Sequence, residues 1–307
     1  MTFGRRYSRS EKLKNFLVFR SLNRIFAAEQ WKCRNYEEIQ FVSDTAAGCY
    51  VCSMFECRQS CSSRHALQEA IRDTGAHREH HCLFKTVQVI MKDSVLILSG
   101  GVDSVTLLYD EQERIALAIS FDYGSKHNAR EIPFARLHCQ RLGIRHITIP
   151  LDFMTTYFKS SLLEGGEEIP EGHYADDNMK STVVPFRNGI MLSIAVGIAE
   201  SNGLKYVMMA NHGGDHTIYP DCRPEFVDAF DKAAEAGTFV NVHLRSPYTN
   251  ITKADIARRG KALGIDYSET WSCYKGGEHH CGKCGTCVER REAFAEAGIE
   301  DGTMYDG

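Results

Sequence analysis

Ser94-Val95-Leu96-Ile97-Leu98-Ser99-Gly100-Gly101-Val102-Asp103-Ser104-Val105-Thr106-Leu107-Leu108 is the stretch on which the reading of this chain turns. Ser94 to Leu98 is an apolar run of strand length, and Val105, Leu107 and Leu108 open a helix; a Gly-Gly turn stands between them. A loop placed this way aims backbone N–H groups and the positive end of a helix dipole at one point, an arrangement that suits phosphate oxygens. The glycines permit close backbone approach, Ser99 and Ser104 add hydroxyl donors, and Asp103 can hold a magnesium ion or orient the loop. No Lys follows the glycines, so the stretch is not a Walker A loop. Gly-Gly alone would equally suit a plain tight turn capped by Asp103 and Ser104.

Outward from the loop, apolar runs and helical patterns alternate. Ile115 to Phe121 reads as a second strand ending at Asp122-Tyr123-Gly124, followed by a helix that Gly143 closes. Arg145 to Pro150 is a third strand and Tyr206 to Ala210 a fourth, with a helix over Phe186 to Glu200 before it. Further helices are expected over Thr252 to Leu263 and around Glu289 to Ala297. Strands alternating with helices predict an α/β fold, a parallel sheet with helices on both faces. In such sheets ligands sit at the carboxyl ends of the strands. The loop, Asp122 with Tyr123, and Asn211-His212-Gly213-Gly214-Asp215-His216 therefore share one rim.

With 43% hydrophobic and 25% charged residues, the 307-residue chain has an ordinary globular composition, enough for one large domain and an appendage. A net charge of -4 argues against a stable nucleic-acid partner or an anionic membrane surface. No apolar run reaches membrane-spanning length, and the basic N-terminus lacks the apolar core of a secretory signal, so a cytoplasmic protein is expected. Residues 1–90 carry fourteen Lys and Arg against nine Asp and Glu, while residues 91–307 carry twenty-two against thirty-one. The balance reverses at Met91. Cys49, Cys52, Cys57 and Cys61 are spaced too irregularly for a usual metal site. The expectation is that residues 1–90 are a poorly ordered extension or the product of an upstream start, with Met91 the natural first residue.

The last forty residues turn rich in Cys, Gly and His. Cys273, Cys281, Cys284 and Cys287, spaced Cys-x7-Cys-x2-Cys-x2-Cys, predict a tetrahedral zinc site. Four protein ligands leave the ion no open position, so its role is structural. An iron–sulfur cluster and an RNA-gripping zinc module are alternatives, and His279 or His280 could replace one thiolate. The expected division is residues 91–265 for nucleotide and 266–307 for zinc. Cys139 and Cys222 stand alone and read as inert thiols.

The hexapeptide Ser99 to Ser104 resembles the pyrophosphate-binding loop of the ATP pyrophosphatases, whose substrates attack the α-phosphate. Together with Phe121-Asp122-Tyr123-Gly124 and His127, Val184-Pro185-Phe186-Arg187-Asn188, Tyr219-Pro220-Asp221-Cys222-Arg223-Pro224-Glu225-Phe226, and Thr270-Trp271-Ser272-Cys273-Tyr274, the chain from 91 to about 299 resembles the 7-cyano-7-deazaguanine synthase family of queuosine biosynthesis. The resemblance implies an adenine nucleotide alpha hydrolase-like, Rossmann-like fold, ATP and Mg2+ at the loop, and a homodimer. It implies conversion of 7-carboxy-7-deazaguanine and ammonia to the nitrile through an adenylated carboxylate and an adenylated amide. By it, Leu98, Ser99, Gly100, Gly101, Val102, Asp103, Ser104, Val105, Thr106, Leu107 and Leu108 line the ATP site, and Asp122, Arg187, His212 and Asp215 are the catalytic candidates. Arg187 suits a carboxylate or phosphate, or a salt bridge to the core. His216, Asp221, Glu225 and Lys253 suit either a substrate role or an ordinary surface or capping one. A tRNA-thiolating relative and a non-catalytic nucleotide sensor remain open beside this reading.

Overall fold

The computed structural model describes residues 92–173 and 177–306, together with the backbone of two short strands nearer the N-terminus. The packing of the chain divides it into two units, Met1–Val89 and Ile90–Gly307. In the first, β1 (Phe41–Asp44) and β2 (Cys49–Cys52) pair antiparallel. The remaining expectations for residues 1–90, the cysteine cluster included, lie outside the described residues.

The second unit is built on a five-stranded sheet in the order β5-β4-β3-β6-β7, and every neighbouring pair is parallel. Its strands are β3 (Ser94–Ile97), β4 (Ile115–Asp122), β5 (Arg145–Pro150), β6 (Tyr206–Met208) and β7 (His243–Arg245). The helices are α1 (Val102–Asp110), α2 (Asn128–Leu142), α3 (Phe153–Tyr157), α4 (Arg187–Ser201), α5 (Pro224–Gly237), α6 (Lys253–Ala262) and α7 (Gly285–Ala297).

The period of two along β3 decides the layers. Val95 joins Leu117, Ile119 and Val207 under α4, whose Leu192, Ala195 and Ala199 are buried against that face. Leu96 and Leu98 turn the other way, into a core with Val105 and Leu108 of α1, Ala135 of α2, Ile256 of α6 and Phe294 of α7. The sheet is thus covered on both sides, as a parallel sheet must be. Among the described residues, one helical stretch, residues 177–201, is long and apolar enough by composition to cross a membrane. Within it, α4 buries Met191, Leu192, Ala195, Val196 and Ala199 in the core.

β3 is central. The chain leaves it toward β4 and β5 on one side and returns to β6 and β7 on the other, so the order reverses between β3 and β6. A crevice opens at the carboxyl ends of the strands flanking such a reversal. The phosphate loop leaves β3 at that point, and Asn211 follows β6.

Candidate active site

Gly100 takes φ +105, a conformation that L side chains rarely adopt. A Cβ there would stand 2.1 Å from the Glu131 carbonyl oxygen, so only glycine lets the loop lie this close to α2. Ser104 gathers the turn: its Oγ accepts from the backbone N–H groups of Ser99 and Gly100 and lies 3.0 Å from Ser99 Oγ. Ser99 Oγ in turn accepts from Gly101 N at 3.0 Å. The hydroxyls thus hold the loop in a cradle.

An open pocket forms over this cradle. Leu98, Ser99, Gly101, Val102, Asp103 and Ser104 line it from the loop side. Val105, Thr106, Leu107 and Leu108 point into the core behind it, and Thr106 bonds Tyr267 there. Across the pocket lies Arg187, whose Nη1 donates to Tyr123 Oη at 3.1 Å while its guanidinium sits 5.6 Å from the Tyr123 ring and 5.8 Å from that of Tyr219. Arg187 stands at the start of α4 because Phe186 before it adopts a left-handed conformation, φ 53, and Asn188 N donates to Asp221 Oδ2 at 2.8 Å. The buried Asp221 thereby ties the Tyr219–Cys222 turn to this helix start.

Asp122 is exposed at the end of β4, where Oδ1 accepts from Gly124 N and Asn128 Nδ2 and shapes the turn into α2. Asp215 lines the pocket and its carboxylate accepts from His212 N. His212 is buried behind the loop: Nδ1 accepts from Gly214 N, and Nε2 faces Asp103, Asp215 and Glu289 at 3.7–3.9 Å. Glu225 is exposed on the first turn of α5. Cys222 is buried, its Sγ receiving a bond from Asn188 Nδ2, and burial raises the thiol far above its usual range. Burial also pushes the Cys139 thiol up to about 12.

Lys253 is no surface residue. Its Nζ, on the first turn of α6, bonds Asp103 Oδ2 at 3.0 Å and Glu289 Oε2 at 2.9 Å. Burial opposes its charge, but Asp103 and Glu289 together raise its pKa well above the usual lysine value. Lys253 and His212 likewise hold Asp103 below the ordinary carboxylate range against desolvation. The second oxygen, Asp103 Oδ1, is buried and has no hydrogen-bond partner among the described residues.

Sequence reasoning missed Glu131 and Glu289. Glu131 lines the pocket from α2, and burial pushes its carboxyl up to about 8. Glu289 follows the last zinc-motif cysteine by two residues, a spacing without meaning until α7 is docked.

The sulfur atoms of Cys273, Cys281, Cys284 and Cys287 all lie within 4.8 Å of one another. Four thiolates around one tetrahedral ion at a metal–sulfur distance near 2.3 Å stand roughly 3.8 Å apart, so the set fits a closed tetrahedral metal site. Backbone N–H groups point at the sulfurs, from Cys281 to Cys273 at 3.3 Å and from Cys284 to Cys281 at 3.3 Å, as thiolate ligands require. Neither histidine joins the four sulfurs. His280 accepts from Ser272 N and lies 4.2 Å from the Trp271 ring, and His279 pairs with Asp306.

Fold and loop together define a Rossmann-like α/β protein with a phosphate cradle of the PP-loop kind, beside four cysteines that could hold a metal ion. Within that class the chain belongs to the 7-cyano-7-deazaguanine synthase family: the family model described as Queuosine biosynthesis protein QueC matches residues 93–298. A 7-cyano-7-deazaguanine synthase of Porphyromonas gingivalis is 63% identical over 216 residues, covering 70% of this chain and 98% of that protein. One of Desulfotalea psychrophila is 54% identical over 217 residues, covering 70% and 99%. One of Methanoregula boonei is 48% identical over 215 residues, covering 69% and 99%.

Proposed function

We propose that this chain uses ATP to convert 7-carboxy-7-deazaguanine and ammonia into 7-cyano-7-deazaguanine for queuosine biosynthesis. The supporting observation is one pocket that joins a phosphate cradle, Ser99–Ser104, to an arginine, Arg187, 5.6 Å and 5.8 Å from two tyrosine rings. A carboxylate is unreactive toward ammonia because oxide is a poor leaving group. Attack of its oxygen on the α-phosphate of ATP releases pyrophosphate and leaves an acyl adenylate, which ammonia opens to the amide. The amide oxygen then attacks a second ATP, and departure of AMP gives the nitrile. Two ATP are consumed per turnover.

In this reading the loop N–H groups and Lys253 steady the leaving pyrophosphate, and Arg187 orients the substrate carboxylate by its planar fork. Asp103, which lines the pocket and whose buried Oδ1 has no hydrogen-bond partner among the described residues, would hold a magnesium ion, and that ion would neutralise charge on the phosphates. Asp122 shapes its turn, and Asp215 with His212 steadies the loop from below. Cys273, Cys281, Cys284 and Cys287 would hold zinc in a structural role, with no open coordination position for chemistry. The chain works in the cytoplasm as a homodimer on small molecules, without stable nucleic-acid or membrane partners, and residues 91–307 suffice for activity.

The test is incubation with ATP, magnesium, ammonium and 7-carboxy-7-deazaguanine, followed by mass spectrometry and a pyrophosphate assay. Nitrile with AMP is the expected product. Pyrophosphate without nitrile would move the search to another acceptor, and no reaction from folded, metal-loaded protein would sink the assignment. A protein begun at Met91 should match the full chain.

A further inference from the structure

Glu131 stands in the pocket without a role in the cradle. It lies on α2 opposite the phosphate loop, its side chain 15% exposed, and it shares the pocket with Ser99, Gly101 and Arg187. Its Oε1 is 3.7 Å from the point a Cβ on Gly101 would occupy, so the carboxyl borders the loop directly. Among the described residues no donor is hydrogen-bonded to that carboxyl. The nearest ring nitrogen, His127 Nε2, is 3.7 Å away, and burial holds His127 neutral, with a pKa of about 3. The charged groups that face the carboxyl from the surrounding elements are Arg187 on α4 and Lys253 on α6, which favour the anion, and Asp103 on α1, which opposes it. Desolvation outweighs them.

We propose that Glu131 is the proton acceptor for the reacting nitrogen in both halves of the reaction. The inference rests on the function proposed above. In the first half, the lone pair of ammonia forms a C–N bond to the acyl carbon. The nitrogen, now bearing three hydrogens and a positive charge, gives one proton to the Glu131 carboxylate, and the C–O bond to AMP breaks with its electron pair going to AMP. In the second half, the adenylated amide loses one nitrogen proton to bulk solvent and becomes a neutral imidate. Its last N–H proton passes to Glu131 as the lone pair completes the triple bond and AMP leaves again. Glu131 gives the first proton to solvent before the second half begins and the second after the nitrile has formed. A carboxyl pushed up to about 8 is a far better base toward nitrogen protons than an exposed one, and general bases work best with a pKa near the working pH.

The experiment compares wild type with Glu131→Gln and Glu131→Asp in two assays. Isotope exchange between ATP and pyrophosphate, driven by 7-carboxy-7-deazaguanine without ammonium, reads adenylation alone; nitrile formation reads the nitrogen steps. Glu131→Gln should keep exchange within about threefold and lose roughly 10²–10⁴ in nitrile formation, with Glu131→Asp between the two. The wild-type kcat/KM for the carboxamide should rise with pH through about 8, and this rise should vanish in Glu131→Gln. Exchange that falls in parallel with nitrile formation would overturn the proposal in favour of loop positioning, and so would undiminished nitrile formation. Wild-type protein that gives neither exchange nor nitrile would overturn the parent reading and this one with it.

Discussion

The backbone N–H of Trp271 donates to the carbonyl of Gly100 at 3.1 Å, so the chain leading into the four-cysteine cluster holds the phosphate loop by its own backbone. A second link runs from Glu289 on α7 through Lys253 to Asp103. If the four cysteines hold zinc as proposed, stripping it should loosen Cys273 and Cys287, and through them both links. ATP affinity, titrated on chelator-treated and zinc-restored protein of known metal content, should fall at least about tenfold on stripping, roughly 1.4 kcal/mol. Unchanged affinity in stripped, folded protein would separate the module from the nucleotide site.

Two glycines with positive φ make opposite cases. Gly143 closes α2 at φ 63, and a Cβ added there would meet nothing within 4 Å, so Gly143→Ala should cost only the left-handed penalty, about 1–2 kcal/mol. Gly100→Ala adds a collision with the Glu131 carbonyl to the same penalty. Chemical denaturation should show the larger loss for Gly100→Ala, and nucleotide binding should disappear only there. Equal losses, with nucleotide binding retained, would mean the loop shifts freely.

Arg290 is fully buried, and all five of its N–H donors are used, on Asp301, Thr270, Ser272, the Tyr267 carbonyl and Thr303. It binds the segment after α7 to the segment before the cysteines. Arg290→Met strands Asp301 and several acceptors, and should destabilise by roughly 3–5 kcal/mol. Asp301→Asn added to it should recover part of that loss. A melting curve within a degree or two of wild type would show that the network relaxes without cost.

Elements with a strong local signal were legible in the sequence. The run from Ser94 to Leu98, the Gly-Gly turn and the cysteine spacing each depend on neighbours within a few residues, and β3, the loop and the sulfur cluster follow them. β7 was missed because His243-Leu244-Arg245 is three residues with one apolar member, a strand only by virtue of the β6 edge beside it. α5 carries Pro224 at its first turn, a usable start signal for a helix. Lys253 could not be told from a surface lysine, because its burial depends on Asp103, 150 residues away, and on Glu289. Glu131 sits in the mixed run Ala129-Arg130-Glu131-Ile132 of α2, where nothing distinguishes it from a solvated helix carboxylate, and only docking against the phosphate loop makes it a pocket residue.

The same docking sets a pH dependence of stability. Glu131 has its pKa raised from 4.5 to about 8 by burial, so between those values the folded protein holds a proton that the unfolded chain has released. Stability must then fall as pH rises through this window, with the contribution fully present below about 4.5 and lost above about 8. At 1.36 kcal/mol per pKa unit the total is on the order of a few kcal/mol, reduced by whatever water reaches the open pocket. Glu131→Gln cannot titrate, so urea denaturation from pH 5 to 8.5 should show a flatter stability profile for the variant and a crossing above neutral pH, where the amide avoids the cost of a buried anion. Parallel profiles would mean that the carboxyl is hydrated in the folded state, and the base strength assigned to it would go with that.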